Sequence, residues 1–160
     1  MRRIASIGLA LWACIGCGEE HAQSAFARRE FMQFQREVYP VLLRDCGFPA
    51  CHGASERFLR IWGPGRVRLP RAMGVPEAFD LPTGDELSAT YSLALSMIDN
   101  ARPAHSALLR KPLAVEAGGA GHFGVDKYGR DIYRTAQDNG YLAIARWVFT
   151  LPAPAAGGRP

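Results

Sequence analysis

The segment C-G-F-P-A-C-H-G, residues 46–53, contains two cysteines and a histidine that directly follows the second of them. Two thiols and an imidazole at this spacing are compatible with three chemistries. They can bind a haem, hold a zinc ion, or, with the thiols alone, close a small disulfide loop. The choice depends on the compartment of the protein, because disulfides form and persist in oxidising compartments outside the cytoplasm.

The N-terminus has the layout of a secretory signal peptide. Arg2 and Arg3 form a positively charged start, and residues 4–15 form an apolar run that is too short to span a bilayer as a helix. Cys17 follows this run and resembles the acylation site of bacterial lipoproteins, with a small residue before it. Cys14 is the alternative acylation site, although a bulky tryptophan lies two residues before it. We therefore predict a signal peptide over residues 1–16 and a lipidated Cys17.

These features predict an exported lipoprotein, periplasmic or in the cell envelope, held at the membrane by its lipid anchor. Loss of the signal peptide would remove Cys14 and leave only Cys46 and Cys51 as thiols in the folded part. Without Arg2 and Arg3 the net charge falls from +4 to about +2, and the basic residues form no dense run. We therefore expect no nucleic-acid partner.

The rest of the chain divides into a polar tether (residues 17–27), one domain (28–151) and a disordered tail (152–160). Before the cysteines, apolar residues recur at helical spacing, which predicts a helix leading into Cys46. Pro40 lies inside this pattern and predicts a kink or a break into two helices. The apolar stripe consists of Phe31, Phe34, Val38 and Val41 or Leu42.

Two further helices have clear sequence signals. Thr83-Gly84-Asp85-Glu86 is a capping box, which predicts a helix from Thr83 to about Asn100. N-G-Y-L-A-I-A-R-W-V-F-T-L, residues 139–151, has a helical apolar stripe and stops before a proline. Together these patterns predict a mainly α domain with long loops.

The segment 57–71 is rich in arginine and has a Gly-Pro-Gly turn at its centre, residues 63–65. The turn predicts a short β-hairpin or an ordered loop. The positive charges are either a solvated face or a surface that meets anionic groups, such as haem propionates or an acidic redox partner. The arginines are Arg57, Arg60, Arg66, Arg68 and Arg71.

Among the three chemistries, the motif favours haem. Covalent haem attachment normally uses C-x-x-C-H, whereas here four residues separate the cysteines, and Gly47 and Pro49 allow the longer loop to bulge outward. Structural zinc motifs have two paired half-sites, and only one pair is visible. A disulfide would explain both cysteines but would give His52 no role.

Several stretches share the order of one known family. F-x-x-x-V-x-P-x-L (34–42) precedes C…CHG, and H-S-A-L-L-R-K-P-L (105–113), G-G-A-G-H-F-G (118–124) and Y-L-A-I-A-R-W-V (141–148) follow it. This arrangement resembles the exported cytochrome c domains of the planctomycete type and their myxobacterial lipoprotein relatives. The sequence departs from that family in its longer cysteine spacing and in the inserted arginine-rich segment with its long middle helix.

The resemblance implies a small, mainly α, cytochrome c-like domain with packed terminal helices and one haem c. Cys46 and Cys51 would bind the haem covalently, and His52, next to Cys51, would be the proximal iron ligand. His122, inside the glycine-rich stretch, is the expected distal ligand. The alternative distal ligands are Met73, Met97 and His105, of which Met97 is expected to be core material and His105 a surface residue.

Together these observations predict an electron carrier rather than a catalyst, working with an unidentified redox partner protein. A haem-dependent, peroxidase-like enzyme is the first alternative, and it would need an open position on the iron. A haem-free extracytoplasmic binding domain closed by a disulfide is the second. No paired-carboxylate or Ser-His-Asp arrangement indicates a hydrolase.

Overall fold

The structure is a computed structural model that describes residues 27–71, 74–122, 129 and 131–152. About half of these residues are helical and none of them lies in a strand, which agrees with the predicted mainly α class. No helix in the described ranges has both the length and the apolar character needed to cross a membrane. The predicted signal peptide and lipidation site, and all of the predicted disordered tail except residue 152, lie outside the described residues.

The first helix, α1, covers residues 27–46 and ends at Cys46. Its hydrogen bonding widens to the π pattern over Phe34–Val38 and again over Leu42–Cys46, on either side of a short α-helical stretch, Tyr39–Val41. These wider turns flank Pro40, which has no N–H to contribute to the regular ladder. The chain therefore stays helical through the proline, so of the two predicted alternatives, a kink or a break, the break into two helices is wrong.

The second helix, α2, spans Gly84–Ser96 and begins as predicted. The Thr83 side chain accepts a hydrogen bond from the Glu86 N–H (3.1 Å), and the Glu86 carboxylate accepts one from the Thr83 N–H (2.9 Å). The helix ends earlier than Asn100. The Asp99 carboxylate accepts hydrogen bonds from the N–H groups of residues 101 and 102, and this local turn competes with helical bonding.

Two helices follow, α3 over Ala107–Arg110 and α4 over Asn139–Thr150. Single 3₁₀ turns lie at Pro103–His105 and Val115–Ala117. Helix α4 matches the closing helix predicted from the sequence.

The segment 57–71 is an ordered loop, so the hairpin alternative is wrong. The two arms share one backbone hydrogen bond next to the turn, from the Gly63 N–H to the Val67 carbonyl (3.3 Å), and each arm also bonds to the cysteine motif. The Ile61 N–H donates to the His52 carbonyl (2.8 Å), and the Val67 N–H donates to the Gly53 carbonyl (3.0 Å). The turn at 63–65 therefore folds back over residues 52 and 53 without forming a ladder.

The core lies where α1, α2 and α4 meet. Phe34 of α1 and Trp147 of α4 are fully buried with ring centres 5.1 Å apart, and Tyr91 of α2 packs edge-on against Phe34 at 5.1 Å. Aromatic pairs at this distance contribute about 0.5–1.5 kcal/mol beyond the burial of their area. The first and last helices thus pack together, as the resemblance implied.

A buried ion pair connects the arginine-rich loop to α2. Arg68 donates two hydrogen bonds to the Glu86 carboxylate (2.8 and 3.0 Å), and both side chains are almost completely buried. Arg68 also donates to the backbone carbonyls of Glu77, Asp80 and Leu81. This arginine therefore belongs neither to a solvated face nor to a surface for anions, because its charge holds residues 77–81 against the helix.

The charge of Glu86 is well compensated. Burial raises the pKa of Glu86, but hydrogen bonds from Arg68 and from the N–H groups of Thr83 and Leu69 outweigh it, so the net pKa lies below its ordinary value. A lowered pKa means that the pair stabilises the fold at neutral pH, and that this contribution is lost as the pH falls below about 4.5.

We expect Glu86→Gln to lower the free energy of unfolding by about 3–5 kcal/mol, because it leaves the Arg68 charge buried without its partner. Urea unfolding at pH 7 measures this change. Asp99→Asn is the matched control, since it removes the carboxylate of the exposed Arg102–Asp99 pair (3.1 Å) and should cost far less. Equal decreases in the free energy of unfolding of the two variants would show that the buried Arg68–Glu86 pair stabilises the fold no more than an exposed pair.

Candidate functional site

A cavity of about 400 Å³ opens between the end of α1, the cysteine motif, α3 and the start of α4. Its volume is within the range of about 300–1,000 Å³ that is typical of small-molecule sites. Most of its wall is apolar. The apolar wall is formed by Leu42, Ala50, Phe58, Leu59, Met97, Ala107, Leu108, Pro112, Ile132 and Ile144.

The residues predicted to bind haem come together at this cavity. Cys46, Cys51, His52 and His122 all line it, although the last lies seventy residues beyond the motif. The sequence thus selected four side chains that the fold brings to one place.

The three residues considered as substitutes for His122 differ in position. Met97 lines the cavity and packs against the core. His105 lies in an exposed turn that does not line the cavity. Met73 is outside the described residues, as are the two candidate lipidation sites, Cys14 and Cys17.

The longer cysteine spacing is taken up by a compact double turn. The Cys51 and Gly53 N–H groups both donate to the Phe48 carbonyl (2.8 and 3.0 Å), and the His52 N–H donates to the Cys46 carbonyl (3.0 Å). Gly53 lies so close to the carbonyl of Gly47 that a Cβ there would clash with it. The four intervening residues therefore fold outward, and His52 is brought back to the end of α1.

The His52 ring is oriented by the loop that follows it. Its Nδ1 lies 2.8 Å from the Leu59 carbonyl oxygen, which can only accept a hydrogen bond, so Nδ1 carries the proton and Nε2 keeps its lone pair. Burial lowers the pKa of His52, and His122 and Arg57 lower it further, against the raising effect of the Leu59 carbonyl. A neutral imidazole with one nitrogen held by a carbonyl is the usual state of a metal-ligating histidine.

The two histidine rings lie close enough to share one metal ion. Their ring centres are 5.8 Å apart, with an angle of 59° between the planes. One nitrogen from each ring at about 2 Å from a metal, on opposite sides, requires ring centres about 6 Å apart. Among the described residues no group of three His, Cys, Asp or Glu side chains could hold a metal. The tetrahedral zinc site considered for the motif is therefore not formed by those residues.

Both motif cysteines are free thiols and partly buried in the cavity wall. Burial raises the pKa of the Cys46 thiol to about 12, and the charges of Asp45 and Cys51 add to this effect. Neither sulfur is engaged in a disulfide, so both are available for bonds to a ligand in the cavity.

Sequence reasoning missed a polar contact beside Cys46. Asp45 accepts hydrogen bonds from the Arg44 guanidinium (2.6 Å) and from the Tyr133 hydroxyl (2.9 Å). A Cβ on Gly140 would lie only 2.6 Å from the Asp45 carboxylate, so a larger residue at this position would displace the Asp45–Tyr133 pair. Tyr133 and Asp45 are 88 positions apart, and no local pattern indicates their contact.

Comparisons with family models, with curated proteins and with solved structures found no match to this chain.

Proposed function

We propose that this chain is a haem c electron-transfer protein that works outside the cytoplasm, with a cytochrome c-like domain over residues 28–151. The observation that carries the proposal is the cavity itself. Two thiols and two imidazoles, chosen from the sequence for covalent haem binding, line one apolar cavity of about 400 Å³.

The residues at the cavity suit a haem in specific ways. Cys46 and Cys51 would bind it through thioether bonds, and His52 and His122 would ligate its iron. Bound there, the haem iron would supply a one-electron redox centre. The Leu59 carbonyl fixes the His52 tautomer, and the apolar wall suits the apolar ring of a haem.

The packing of the helices supports the fold assignment. The first and last helices cross through Phe34 and Trp147, and the end of α1 delivers Cys46 directly to the cavity. Trp62 and Trp147 are buried outside the cavity wall, so they are core residues rather than contacts of the ligand.

Electron transfer is favoured over the peroxidase-like alternative. A peroxidase needs an open position on its iron, whereas the His52 and His122 rings are 5.8 Å apart and both line the cavity. The disulfide-closed binding domain would leave the convergence of these two histidines without a role.

The visible absorption spectrum tests the proposal. The full chain, produced in a host that exports and ligates haem c, should be red and show the sharp reduced bands of a six-coordinate haem. A colourless protein obtained alongside a correctly loaded cytochrome c from the same host would reject the proposal.

We also propose that the protein is a lipoprotein anchored through Cys17. Cys17→Ser should release the mature domain from membranes or leave the precursor unprocessed, because several acyl chains bind a bilayer firmly. Membrane fractionation and intact mass measure this outcome, with Cys14→Ser as the control that keeps both processing and anchoring. A mature chain that starts elsewhere and carries no lipid would contradict the assignment.

A further inference from the structure

We infer that Arg57 and Lys111 bind the two carboxylates of the haem, and so fix which edge of the ring lies at the mouth of the cavity. This inference rests on the proposed function and names the part of the ligand that these two side chains recognise. Both residues line the cavity, and both are solvent-exposed.

Among the described residues, the cavity wall has two basic side chains, Arg57 and Lys111, and one acidic side chain. Of the residues that the structure describes, Asp45 is the one carboxylate in the wall, and it is already engaged by Arg44 and by the Tyr133 hydroxyl. Within the described ranges, neither Arg57 nor Lys111 forms an ion pair with an acidic side chain. An apolar cavity that has two exposed cations in its wall, neither of them in an ion pair with a described acidic side chain, suits an apolar ring that carries two carboxylates on one edge.

Three of the other four arginines of the segment have side-chain contacts elsewhere, and the fourth, Arg71, lines a separate, smaller pocket. Arg68 is buried against Glu86, and Arg66 donates to the Leu43 carbonyl (3.1 Å). Arg60 lies over the Trp62 ring at 5.9 Å. Among the five arginines, all of them in described ranges, Arg57 alone lines the cavity.

Arg57 forms a hydrogen bond to the loop between the two cysteines. Its guanidinium donates to the carbonyl of Ala50, the residue before Cys51, at 3.3 Å. Its charge is also close enough to His52 to contribute to the lowered pKa of that imidazole. These contacts place the Arg57 charge beside the attachment loop.

The test is the pH dependence of the midpoint potential of the haem-loaded full chain with both Arg57→Gln and Lys111→Gln. In the wild type the two cations keep the carboxylates ionised, so the potential should be nearly constant above about pH 5. Without them the carboxylates titrate at higher pH. Because oxidised iron favours the ionised carboxylates, the potential of the variant should then fall as the pH rises between about 5 and 7.

At pH 8 the equilibrium constant for reduction of the haem should be about threefold to tenfold lower in the double variant than in the wild type. A tenfold change corresponds to about 59 mV for one electron. The matched control is the pair Arg60→Gln and Arg110→Gln, which removes two neighbouring positive charges that do not line the cavity. This control should keep the flat profile of the wild type.

A haem-loaded double variant with the same profile as the control would overturn the inference while leaving the proposed function intact. The inference would equally be overturned if that variant kept a flat profile but lost salt-dependent reaction with an acidic redox protein, since the cations would then serve docking. A wild-type protein without haem would reject the proposed function, and the absorption spectrum reports this before any potential is measured.

Discussion

Replacing both Cys46 and Cys51 with Ala should leave no haem in the protein after acid extraction. Thioether bonds survive denaturation in acid, whereas a haem held only by axial ligands is released when the fold is lost. Each single variant should retain one thioether and therefore keep its haem through the extraction. The haem content of the denatured protein fraction, measured on the full chain from a haem-ligating export host, gives the result.

The physical demand of this attachment is on the positions of the two sulfurs rather than on the number of residues between them. The double turn at residues 48–53 brings the backbone nitrogen of His52 to 3.0 Å from the carbonyl oxygen of Cys46. Both sulfurs consequently line the same cavity even though the loop is two residues longer than usual.

The cysteine control is Cys14→Ala, which changes a residue of the predicted signal peptide and should leave haem attachment unaltered. A colourless wild-type protein, lighter than the free-thiol chain by two hydrogens and holding a 46–51 disulfide, would decide for the binding-domain alternative. Haem that is present but fully extractable from the wild type would contradict covalent attachment alone.

The sequence was most informative where local chemistry determines structure. The capping box at Thr83 correctly predicts the start of α2, because both of its hydrogen bonds connect residues only three positions apart. Helix α4 was equally predictable, since its apolar stripe and the proline that follows it are contained within the segment itself.

The sequence was less informative where distant groups compete. The Gly-Pro-Gly turn left a hairpin and an ordered loop as alternatives, and the loop forms because Ile61 and Val67 donate to backbone carbonyls of the cysteine motif. The sequence does not show which of the five arginines in residues 57–71 are exposed. Arg68 is buried because it pairs with Glu86, 18 positions away. Local patterns do not encode such partners.

The candidate site lies between these cases. The motif itself indicates Cys46, Cys51 and His52, whereas the resemblance and the surrounding glycines indicate His122. The structure places that histidine at the cavity and leaves His105 in an exposed turn outside it. No sequence pattern indicates Lys111, because its place in the cavity wall depends on how α3 packs.

Replacing His122 with Ala should convert a low-spin haem iron to high-spin in essentially all of the protein. Loss of the second imidazole leaves the iron with His52 and either an open position or a weakly bound water, and such a weak ligand field favours the high-spin state. The visible and electron paramagnetic resonance spectra of the oxidised protein report the change. His105→Ala is the matched control, since that histidine is exposed and does not line the cavity, and its spectra should equal those of the wild type.

The identity of the distal ligand also affects the reduction potential of the haem. Two imidazoles give a lower reduction potential than the methionine–histidine pair found in many cytochromes c. A wild-type spectrum with a sulfur-to-iron charge-transfer band, or one that stays low-spin when His122 is lost, would assign the distal position to a methionine. Met97 is then the next variant to make, because it lines the cavity, packs against the core and begins the turn that follows α2. Met97→Leu keeps its apolar volume, so a change of spin state in that variant would report ligation rather than a packing defect.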